Sequence, residues 1–341
     1  MRKFIYSLLT KANYSHFYVL LAPLLLIFSF VYLGSIEFIK LFFRLGLLKS
    51  ARPRAKVISV GNITWGGTGK SSLSIFLNNF LRAKGKRPAI LIRGYGDDED
   101  RMLKEFANAL VLSGKNRVTN AKEAEGRHGA DVLILDDGFQ HWRLKRDLDI
   151  VTVNANNPFG NERLIPAGIL REPLSALARA DIILITKINL ADKENIQYAK
   201  DVIAKVAPKA EVFQAQYKAV SIIAPLEDKR FDLSHISGKR LCAVASVGDN
   251  DSFFKMLFSL NARVTDKIEY PDHHKYTARD VEIIKARAKD SNSDAIITTT
   301  KDWIRLRRHY TPTPDVFLLD VSIRIIDEEK FFNRISSLLA F

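Results

Sequence analysis

Short apolar runs alternate with helix-patterned stretches over most of this chain. Four runs, in AKVISVGNI, RPAILIRGYG, ADVLILDDGFQH and ADIILITKINL, predict strands that are buried on both faces. Helical periodicity in SSLSIFLNNFLRAKG, EPLSALARA and KENIQYAKDVIAKVA fills the intervals, and Gly85 is expected to close the first helix. Strands that alternate with helices predict crossover units, and therefore an α/β fold whose mostly parallel sheet carries helices on both faces.

A change of pattern divides the chain. Between residues 211 and 239 the apolar positions form short alternating pieces, after which strand and helix patterns resume and a last helix begins at Asp327. A chain of 341 residues is also longer than one core normally supports. We therefore predict an N-terminal membrane helix with a basic segment at 1–50, an α/β core at 51–214, and a smaller α/β domain at 215–341 joined by a short ribbon.

The N-terminal segment is apolar enough to contact a membrane. Phe17 to Ile36 contains no Asp, Glu, Lys or Arg, and its 20 residues have about the length that spans a hydrocarbon core. Basic residues bunched after this run favour a cytoplasmic location for the rest of the chain. Because basic residues also precede it and Pro23 interrupts it, a spanning helix and a helix in one leaflet both stay open.

Charge and cysteine content narrow the class of protein. Lys and Arg outnumber Asp and Glu by 52 to 38, which indicates a polyanionic partner such as an anionic membrane or a phosphorylated substrate. The basic residues are spread along the chain without interleaved stacking aromatics, so we expect no nucleic-acid partner. The single cysteine, Cys242, excludes an internal disulfide framework.

The stretch VGNITWGGTGKS joins the first predicted strand to the first predicted helix and makes the core P-loop-type. It satisfies the end of the pattern G-x-x-x-x-G-K-[ST], although Thr64 stands at the first glycine position. Its glycines let backbone N–H groups converge on an anion at the positive end of the helix. Lys70 is expected to reach the β and γ phosphates, and Ser71 to ligate Mg²⁺. The predicted nucleotide-binding residues are Thr64, Trp65, Gly66, Gly67, Thr68, Gly69, Lys70 and Ser71.

Two adjacent aspartates follow the predicted strand in ADVLILDDGFQH. A P-loop protein needs a second strand that ends in a metal-holding carboxylate. Burying two carboxylates side by side is unfavourable without a cation. We therefore predict that Asp136 and Asp137 hold Mg²⁺ together with Ser71.

With these residues assembled, the chain resembles the tetraacyldisaccharide 4′-kinases, the lipid A 4′-kinases of Gram-negative bacteria. The resemblance covers nearly the whole chain and is carried by VGNITWGGTGKS, IRGYG, LILDDGFQHWRLKRDLDIV, NPFGNERLIPAGILREPLSALARAD and YPDHHKYT. It implies Mg²⁺-dependent transfer of the ATP γ-phosphoryl group to the 4′-hydroxyl of a tetraacyldisaccharide 1-phosphate in lipid A biosynthesis. It also implies a membrane-associated N-terminal helix. The family's loop carries Thr or Ser at the position of Thr64.

The resemblance also implies partners and a location. The partners are the glycolipid substrate, an acylated disaccharide 1-phosphate, and the lipid surface of the inner membrane. The protein is expected at the cytoplasmic face of the bacterial inner membrane, attached through its N-terminus. The sequence leaves the oligomeric state open, with a monomer as the favoured state.

The family's catalytic base falls where this chain departs from the family pattern. Members usually follow R-G-Y-G with a longer insert and then G-D-E-P-x-L-L, whereas this chain reads GYGDDEDRMLKEF. The favoured alignment puts Asp98 on the base that deprotonates the acceptor sugar, with Glu99 beside it on the substrate. Asp97 and Asp100 stay open as the base, because a cluster of four acidic residues leaves the register ambiguous.

Other residues receive roles from the same resemblance. His273 in YPDHHKYT matches the histidine that pairs with the base, so domain closure is expected to complete the site, and His274 stays open as the alternative. Arg117 matches an arginine expected near the transferring phosphate. The residues expected to line the nucleotide and sugar cleft are Gln140, His141, Arg171 and Glu172.

Two other classes of protein stay open from the residues alone. A membrane-associated P-loop ATPase or GTPase switch fits the glycine loop, but the guanine motif N-K-x-D is replaced by ITKINLAD, where Thr186 precedes Lys187. A non-catalytic lipid-binding scaffold fits the positive charge, and it need not bind MgATP.

Overall fold

The structure is a computed structural model that describes residues 16–94, 103–104 and 108–339. They form two compact units: a first unit of Met1–Ala215 with Ile325–Phe341, and a second unit of Gln216–Arg324. The strands are β1 Lys56–Gly61, β2 Pro88–Ile92, β3 Leu110–Ser113, β4 Val132–Asp136, β5 Leu148–Asn154, β6 Ile182–Thr186, β7 Glu211–Ala224, β8 Lys229–Phe231, β9 Arg240–Ala245, β10 Arg263–Glu269, β11 Ala295–Thr299 and β12 Val316–Ile325. The α-helices are α1 His16–Arg44, α2 Lys70–Ala83, α3 Arg117–His128, α4 Lys193–Val206, α5 Asn250–Ser259, α6 Ala278–Asp290, α7 Thr300–Leu306 and α8 Glu328–Leu339.

The sheet of the first unit is parallel and has the strand order β3-β2-β4-β1-β5-β6-β7. The pairing of Val60 with Asp136 places the carboxyl ends of β1 and β4 next to each other. Since ligands of parallel sheets bind beyond the carboxyl ends of the strands, this register defines where a site can form.

Helices cover both faces of this sheet. Alternate residues of β1 and β4, such as Val57 and Leu133, pack in one cluster with Ala121 and Ala124 of α3. Helix α2 packs against β1, β2 and β4, and right-handed crossovers that progress in opposite directions along the sheet put α2 on the face opposite α3. These features confirm the predicted α/β class.

The second unit is a smaller parallel arrangement. Its strands follow the order β10-β9-β11-β12 with parallel pairing throughout. The short strand β8 pairs antiparallel to the last residues of β7. The chain passes between the two units within β7 and again at the end of β12.

The structure differs from the sequence-based expectations in its domain boundary and in several elements. The expected second domain ran from 215 to the C-terminus, whereas residues from Ile325 onward return to the first unit. They return because Phe331 of α8 packs edge-on to Phe213, with ring centroids 5.2 Å apart, and is fully buried. Strands β3 and β5 and helix α3 were not predicted, and the segment EPLSALARA contains a 3₁₀ helix, Leu174–Arg179, instead of an α-helix.

Helix α1 has the reverse of the usual polarity of a surface helix. Its part from Leu21 to Arg44 is long and apolar enough to cross a membrane, with a mean hydropathy of 1.9. Its buried polar residues, Ser29 and Lys40, are eleven positions apart, about three helical turns, and therefore share one side. The exposed large apolar residues of this helix are Leu24, Ile27, Phe28, Phe30, Val31, Phe38, Ile39 and Leu41.

Candidate phosphate-transfer site

The glycine-rich loop lies between β1 and α2 at the carboxyl edge of the first unit. Gly66 and Gly69 have φ angles of 125° and 91°, in the left-handed region that other residues adopt only with strain. Gly69 is the residue directly before the fourteen-residue helix α2. The unpaired N–H groups and the dipole at a helix N-terminus attract anions, so the loop and α2 together form a phosphate site.

Neighbouring side chains hold the loop by its carbonyl oxygens. The buried Asn62 donates through Nδ2 to Thr64 O at 2.8 Å and to Thr68 Oγ1 at 3.1 Å. Thr186 Oγ1 donates to Thr68 O, and Lys187 Nζ donates to Gly67 O, each at 2.9 Å. These side chains donate to oxygen atoms of the loop and so use none of its N–H groups. Two loop N–H groups are used by backbone oxygens, since Trp65 N donates to Ile169 O at 2.7 Å and Thr68 N donates to Gly66 O at 3.1 Å.

These supporting residues were missed by sequence reasoning. Asn62 precedes the glycines and looks like an ordinary turn residue, while Thr186 and Lys187 lie far along the chain at the end of β6. The signal in the sequence is the Thr-Lys dipeptide at that strand end, a position that parallel sheets use for ligand contacts.

Asp136 ends β4 beside the start of α2. It is 5% exposed, and its two carboxylate oxygens accept hydrogen bonds from Ser71 Oγ at 2.9 Å and from Ser74 Oγ at 3.2 Å. A serine hydroxyl and a carboxylate are hard oxygen ligands of the kind that Mg²⁺ prefers. In the described ranges no three His, Cys, Asp or Glu side chains cluster as a metal site. Mg²⁺ usually takes one or two carboxylates and completes its shell with phosphate and water oxygens.

Asp137 faces two cations. Arg171 donates to both of its carboxylate oxygens, at 2.7 and 3.1 Å, and Lys70 Nζ lies 3.6 Å from Oδ1. Burial alone raises the pKa of Asp137, but the charges of Lys70 and Arg171 outweigh it and hold that pKa well below its usual range. Asp137 is therefore ionised. Lys70 and Asp137 form a second pair of predicted site residues that lie together on this edge, after Ser71 and Asp136.

Arg117 lies beneath the aspartates and not in the open part of the site. It is 2% exposed, and its guanidinium donates to the backbone oxygens of Asp136 at 2.7 Å and Asp137 at 3.0 Å. The residue after this turn must be glycine, because a Cβ on Gly138 would lie 2.6 Å from Leu135 Cβ. Arg117 therefore stabilises the turn that presents both carboxylates.

Gln140 and Glu172 belong to a buried network. Gln140 Nε2 donates to Asn62 O at 2.8 Å and to Glu172 Oε1 at 3.1 Å. Glu172 is 1% exposed and also accepts two hydrogen bonds from Arg179, at 2.7 and 2.9 Å. The described partners of Gln140 and Glu172 are therefore other protein groups: Asn62, Arg179 and each other.

His141 is held neutral. Burial, and then the positive charge of Arg117 and other arginines, lowers its pKa to about 4. Its Nε2 atom is buried and has no hydrogen-bond partner among the described residues. The structure therefore shows His141 as a neutral ring among arginines, and its expected contact with a ligand stays a prediction.

The remaining predicted residues are those given to the catalytic base and its histidine partner. Asp97, Asp98, Glu99 and Asp100 lie outside the described residues. His273 and His274 belong to the second unit, in the turn after β10. His274 Nε2 lies 3.1 Å from Asp280 Oδ2 and its ring stacks on Tyr270, whereas the His273 side chain is 48% exposed and adopts a φ of 57°.

A glycine loop at a helix N-terminus, with a serine hydroxyl on a strand-end aspartate, defines the class of P-loop nucleotide-binding proteins. A sequence profile of the family Tetraacyldisaccharide-1-P 4′-kinase matches residues 21–340. This chain belongs to that family. Membership confirms the predicted kinase function over the ATPase, GTPase and scaffold alternatives, and the predicted cofactors, ATP and Mg²⁺, are those of an ATP-using kinase family.

Individual relatives agree over most of the chain. The tetraacyldisaccharide 4′-kinase of Syntrophus aciditrophicus is 33% identical, with 93% of each chain covered. The one of Halothermothrix orenii is 36% identical, with 79% of each chain covered. The crystal structure of LpxK from Aquifex aeolicus in complex with ATP aligns with a TM-score of 0.70 at 27% identity, covering 94% of this chain and 99% of that one.

Proposed function

We propose that this chain transfers the γ-phosphoryl group of MgATP to the 4′-hydroxyl of a tetraacyldisaccharide 1-phosphate, at the glycine loop of the first unit. The observation that carries the proposal is the 2.9 Å hydrogen bond from Ser71 Oγ to Asp136 Oδ2 at the N-terminus of α2. It supports the assignment because P-loop proteins use this pair of oxygens to hold Mg²⁺ beside the phosphates. A Mg²⁺ ion held by these two oxygens would neutralise part of the negative charge on the phosphates.

Lys70 is the cation that we assign to the transferring phosphate. Its 3.6 Å separation from Asp137 Oδ1 is longer than a direct hydrogen bond, and 18% of its side chain is exposed. We propose that Lys70 moves to the β and γ phosphate oxygens when nucleotide enters, while Arg171 keeps its two hydrogen bonds to Asp137. Arg117 is assigned to holding the Asp136–Asp137 turn, with its Nε as the atom that still lacks an acceptor among the described groups.

Asp98 is our candidate for the general base, with Glu99 beside it on the sugar and His273 orienting it. The base takes the proton of the 4′-hydroxyl as the sugar oxygen bonds to the γ phosphorus. The bond from that phosphorus to the departing ADP oxygen then breaks. The exposure of the two side chains supports His273 as the partner, because 48% of the His273 side chain is exposed against 26% of the His274 side chain.

The polarity of α1 supports a membrane location. Its large apolar side chains face outward, where water would be an unfavourable neighbour and hydrocarbon a favourable one. We propose that these side chains enter the inner membrane from its cytoplasmic face and that the basic residues after α1 attract anionic headgroups, at about 1 kcal/mol each. The acyl chains of the substrate then stay in the bilayer while its sugar head enters the site.

The contacts of α1 favour one leaflet over a full span. Ser29 Oγ donates to Leu164 O at 2.8 Å and accepts from Ala167 N at 3.1 Å. Tyr32 Oη donates to Arg171 O at 2.9 Å. The middle of the helix is therefore bonded to a polar loop of the first unit, and that loop has no place in hydrocarbon.

Product formation tests the proposal directly. Purified protein with MgATP and tetraacyldisaccharide 1-phosphate should give a product heavier by one phosphate in mass spectrometry. Phosphate released only to water, with the glycolipid unchanged, would contradict it.

Single substitutions then locate the base and its partner. Asp98→Ala should lower turnover at least about tenfold, as loss of a general base does, while Asp97→Ala and Asp100→Ala should not. His273→Ala should likewise lower turnover about tenfold and His274→Ala should not. A loss confined to Asp97→Ala, Asp100→Ala or His274→Ala would move the role to that residue.

A further inference from the structure

Helix α1 contacts the site through two polar side chains to which the mechanism above gives no role. Tyr32 donates its hydroxyl to the backbone oxygen of Arg171, and Lys40 Nζ lies 3.1 Å from Glu172 Oε2. Both contacts fall on the consecutive residues Arg171 and Glu172. A helix that served only as an anchor would need no bond to these two residues.

Lys40 is buried to a degree that lysine rarely reaches. Only 7% of it is exposed, and lysine is almost never buried without a partner. Its second partner, Glu37, is 2.8 Å away and 47% exposed at the side chain, so Glu172 is the buried one. Burial raises the pKa of Glu172, but hydrogen bonds and charge from Arg179 and Lys40 outweigh this and lower that pKa, so Glu172 is a carboxylate.

Glu172 transmits this contact to the glycine loop. Its Oε1 accepts from Gln140 Nε2, which also donates to Asn62 O. Asn62 Nδ2 in turn donates to Thr64 O and Thr68 Oγ1 of the loop. On the other side, the guanidinium of Arg171 holds Asp137 with two hydrogen bonds and Asn62 Oδ1 with one at 3.1 Å. The backbone of Arg171 is fixed as well, since its N–H donates to Ile63 O at 2.7 Å.

We propose that Lys40 and Tyr32 are positioning residues for phosphoryl transfer. Lys40 holds the Glu172 carboxylate toward Gln140, and Tyr32 holds the Arg171 backbone so that its guanidinium stays on Asp137. This inference rests on the proposed function, because it takes the glycine loop and Asp137 as the place of transfer. It makes α1 a structural part of the site as well as its attachment to lipid.

A detergent assay separates positioning from attachment to a bilayer. Wild type, Lys40→Met, Lys40→Arg and Tyr32→Phe, all as the full chain, are assayed with MgATP and tetraacyldisaccharide 1-phosphate dispersed in detergent, so that no bilayer is present. Lys205→Met is the matched control, because Lys205 is an exposed lysine on α4 and its loss removes the same charge. Glu37→Gln removes only the exposed partner of Lys40.

Lys40→Met should lower kcat roughly ten- to a hundredfold, the range that small misplacements of a reacting group produce, with a KM for glycolipid within about threefold of wild type. Lys40→Arg should retain most of the wild-type kcat, because arginine keeps the positive charge beside Glu172. Tyr32→Phe should cost about two- to tenfold, as the loss of one hydrogen bond does. Lys205→Met and Glu37→Gln should stay within about twofold of wild type, a spread smaller than the loss of one hydrogen bond.

Three results would overturn the inference: a kcat for Lys40→Met equal to that of Lys205→Met, an equal loss in Lys40→Arg and Lys40→Met, or a rise in glycolipid KM with kcat unchanged. If Lys40→Met does not fold, as judged by thermal unfolding, Lys40→Arg and Tyr32→Phe decide the question by the same criteria. Failure of the proposed function is distinguishable, because wild type itself would then leave the glycolipid unphosphorylated.

Discussion

The two units carry buried aspartates at the carboxyl ends of parallel strands, yet they use them differently. In the first unit Asp136 is held by two serine hydroxyls, and Asp137 by side chains that remain partly exposed. In the second unit Asp302, which is fully buried, accepts from Ser246 N at 3.0 Å and Ser246 Oγ at 2.6 Å, and also pairs with the buried Arg305.

This difference distinguishes Asp136, a candidate ligand-binding carboxylate, from Asp302, a structural one. The oxygens of Asp136 accept from the hydroxyl groups of Ser71 and Ser74, and a metal ion can also ligate such hydroxyls. The oxygens of Asp302 are taken by a backbone N–H, by hydroxyls including Thr299 Oγ1 at 2.8 Å, and by a guanidinium. We infer that Asp302 stabilises the start of α7, whereas Asp136 takes part in chemistry.

The largest expected effect comes from Asp136→Asn. It should lower kcat at least about a thousandfold, or about 4 kcal/mol of transition-state stabilisation, because a neutral amide is a poor Mg²⁺ ligand. Steady-state kinetics with a titration of Mg²⁺ measures this. The midpoint of thermal unfolding should move little. Turnover within tenfold of wild type would mean that Asp136 is a structural residue like Asp302.

The corresponding substitution in the second unit, Asp302→Asn, should lower the stability of the fold and leave kcat nearly unchanged. Asp302→Asn leaves the buried Arg305 without its carboxylate, and breaking such a pair should cost about 3 kcal/mol of unfolding free energy. Denaturant unfolding measures that cost, and kcat per folded molecule should stay within about twofold of wild type. A large fall in kcat with unchanged stability would remove the distinction between the two edges.

The smallest expected effect concerns His141 and pH. Its pKa is about 4 in the folded chain, against 6.5 ordinarily, because burial and then Arg117 disfavour the charged ring. As pH falls from about 6.5 to 4 the unfolded chain takes up the proton first, so the folded state loses stability.

Above that window His141 contributes no pH dependence, because both states are neutral. After allowance for solvent screening of a partly exposed ring, the loss should be about 1 kcal/mol. His141→Gln should remove this part of the acid destabilisation, as measured by unfolding midpoints between pH 7 and pH 4. If His141→Gln and wild type lose the same stability between pH 7 and pH 4, the pKa of His141 is not lowered in the folded state.

Local patterns predicted the fold and the position of the phosphate loop. The glycine loop and the Asp136–Asp137 pair each follow an apolar strand directly, so their meeting follows from the geometry of parallel sheets. Strand β3 was missed because its four residues carry too little pattern. Strand β5, LDIVTVN, reads as a buried strand in retrospect, but its polar positions interrupt the apolar run.

Contacts between distant residues were not predictable from the chain. Glu172 and Lys40 meet across more than a hundred residues, and Lys40 reads in the sequence as one of several basic residues after an apolar run. The last helix, α8, was predicted, but its assignment to the second domain was wrong for the same reason. Contacts with distant residues, such as Phe331 with Phe213 and Phe332 with Phe80, return that helix to the first unit. The roles of Asp98, Glu99 and His273 stay predictions.

The carbonyl bonds that hold the glycine loop affect how tightly nucleotide can bind. A loop of this composition, left untethered, would lose backbone entropy on closing around a phosphate, and that loss would weaken affinity. Asn62, Thr186 and Lys187 fix the loop from behind, so the ordering occurs when the chain folds. The loss of backbone entropy is then part of the free energy of folding. It does not have to be met again when a phosphate binds.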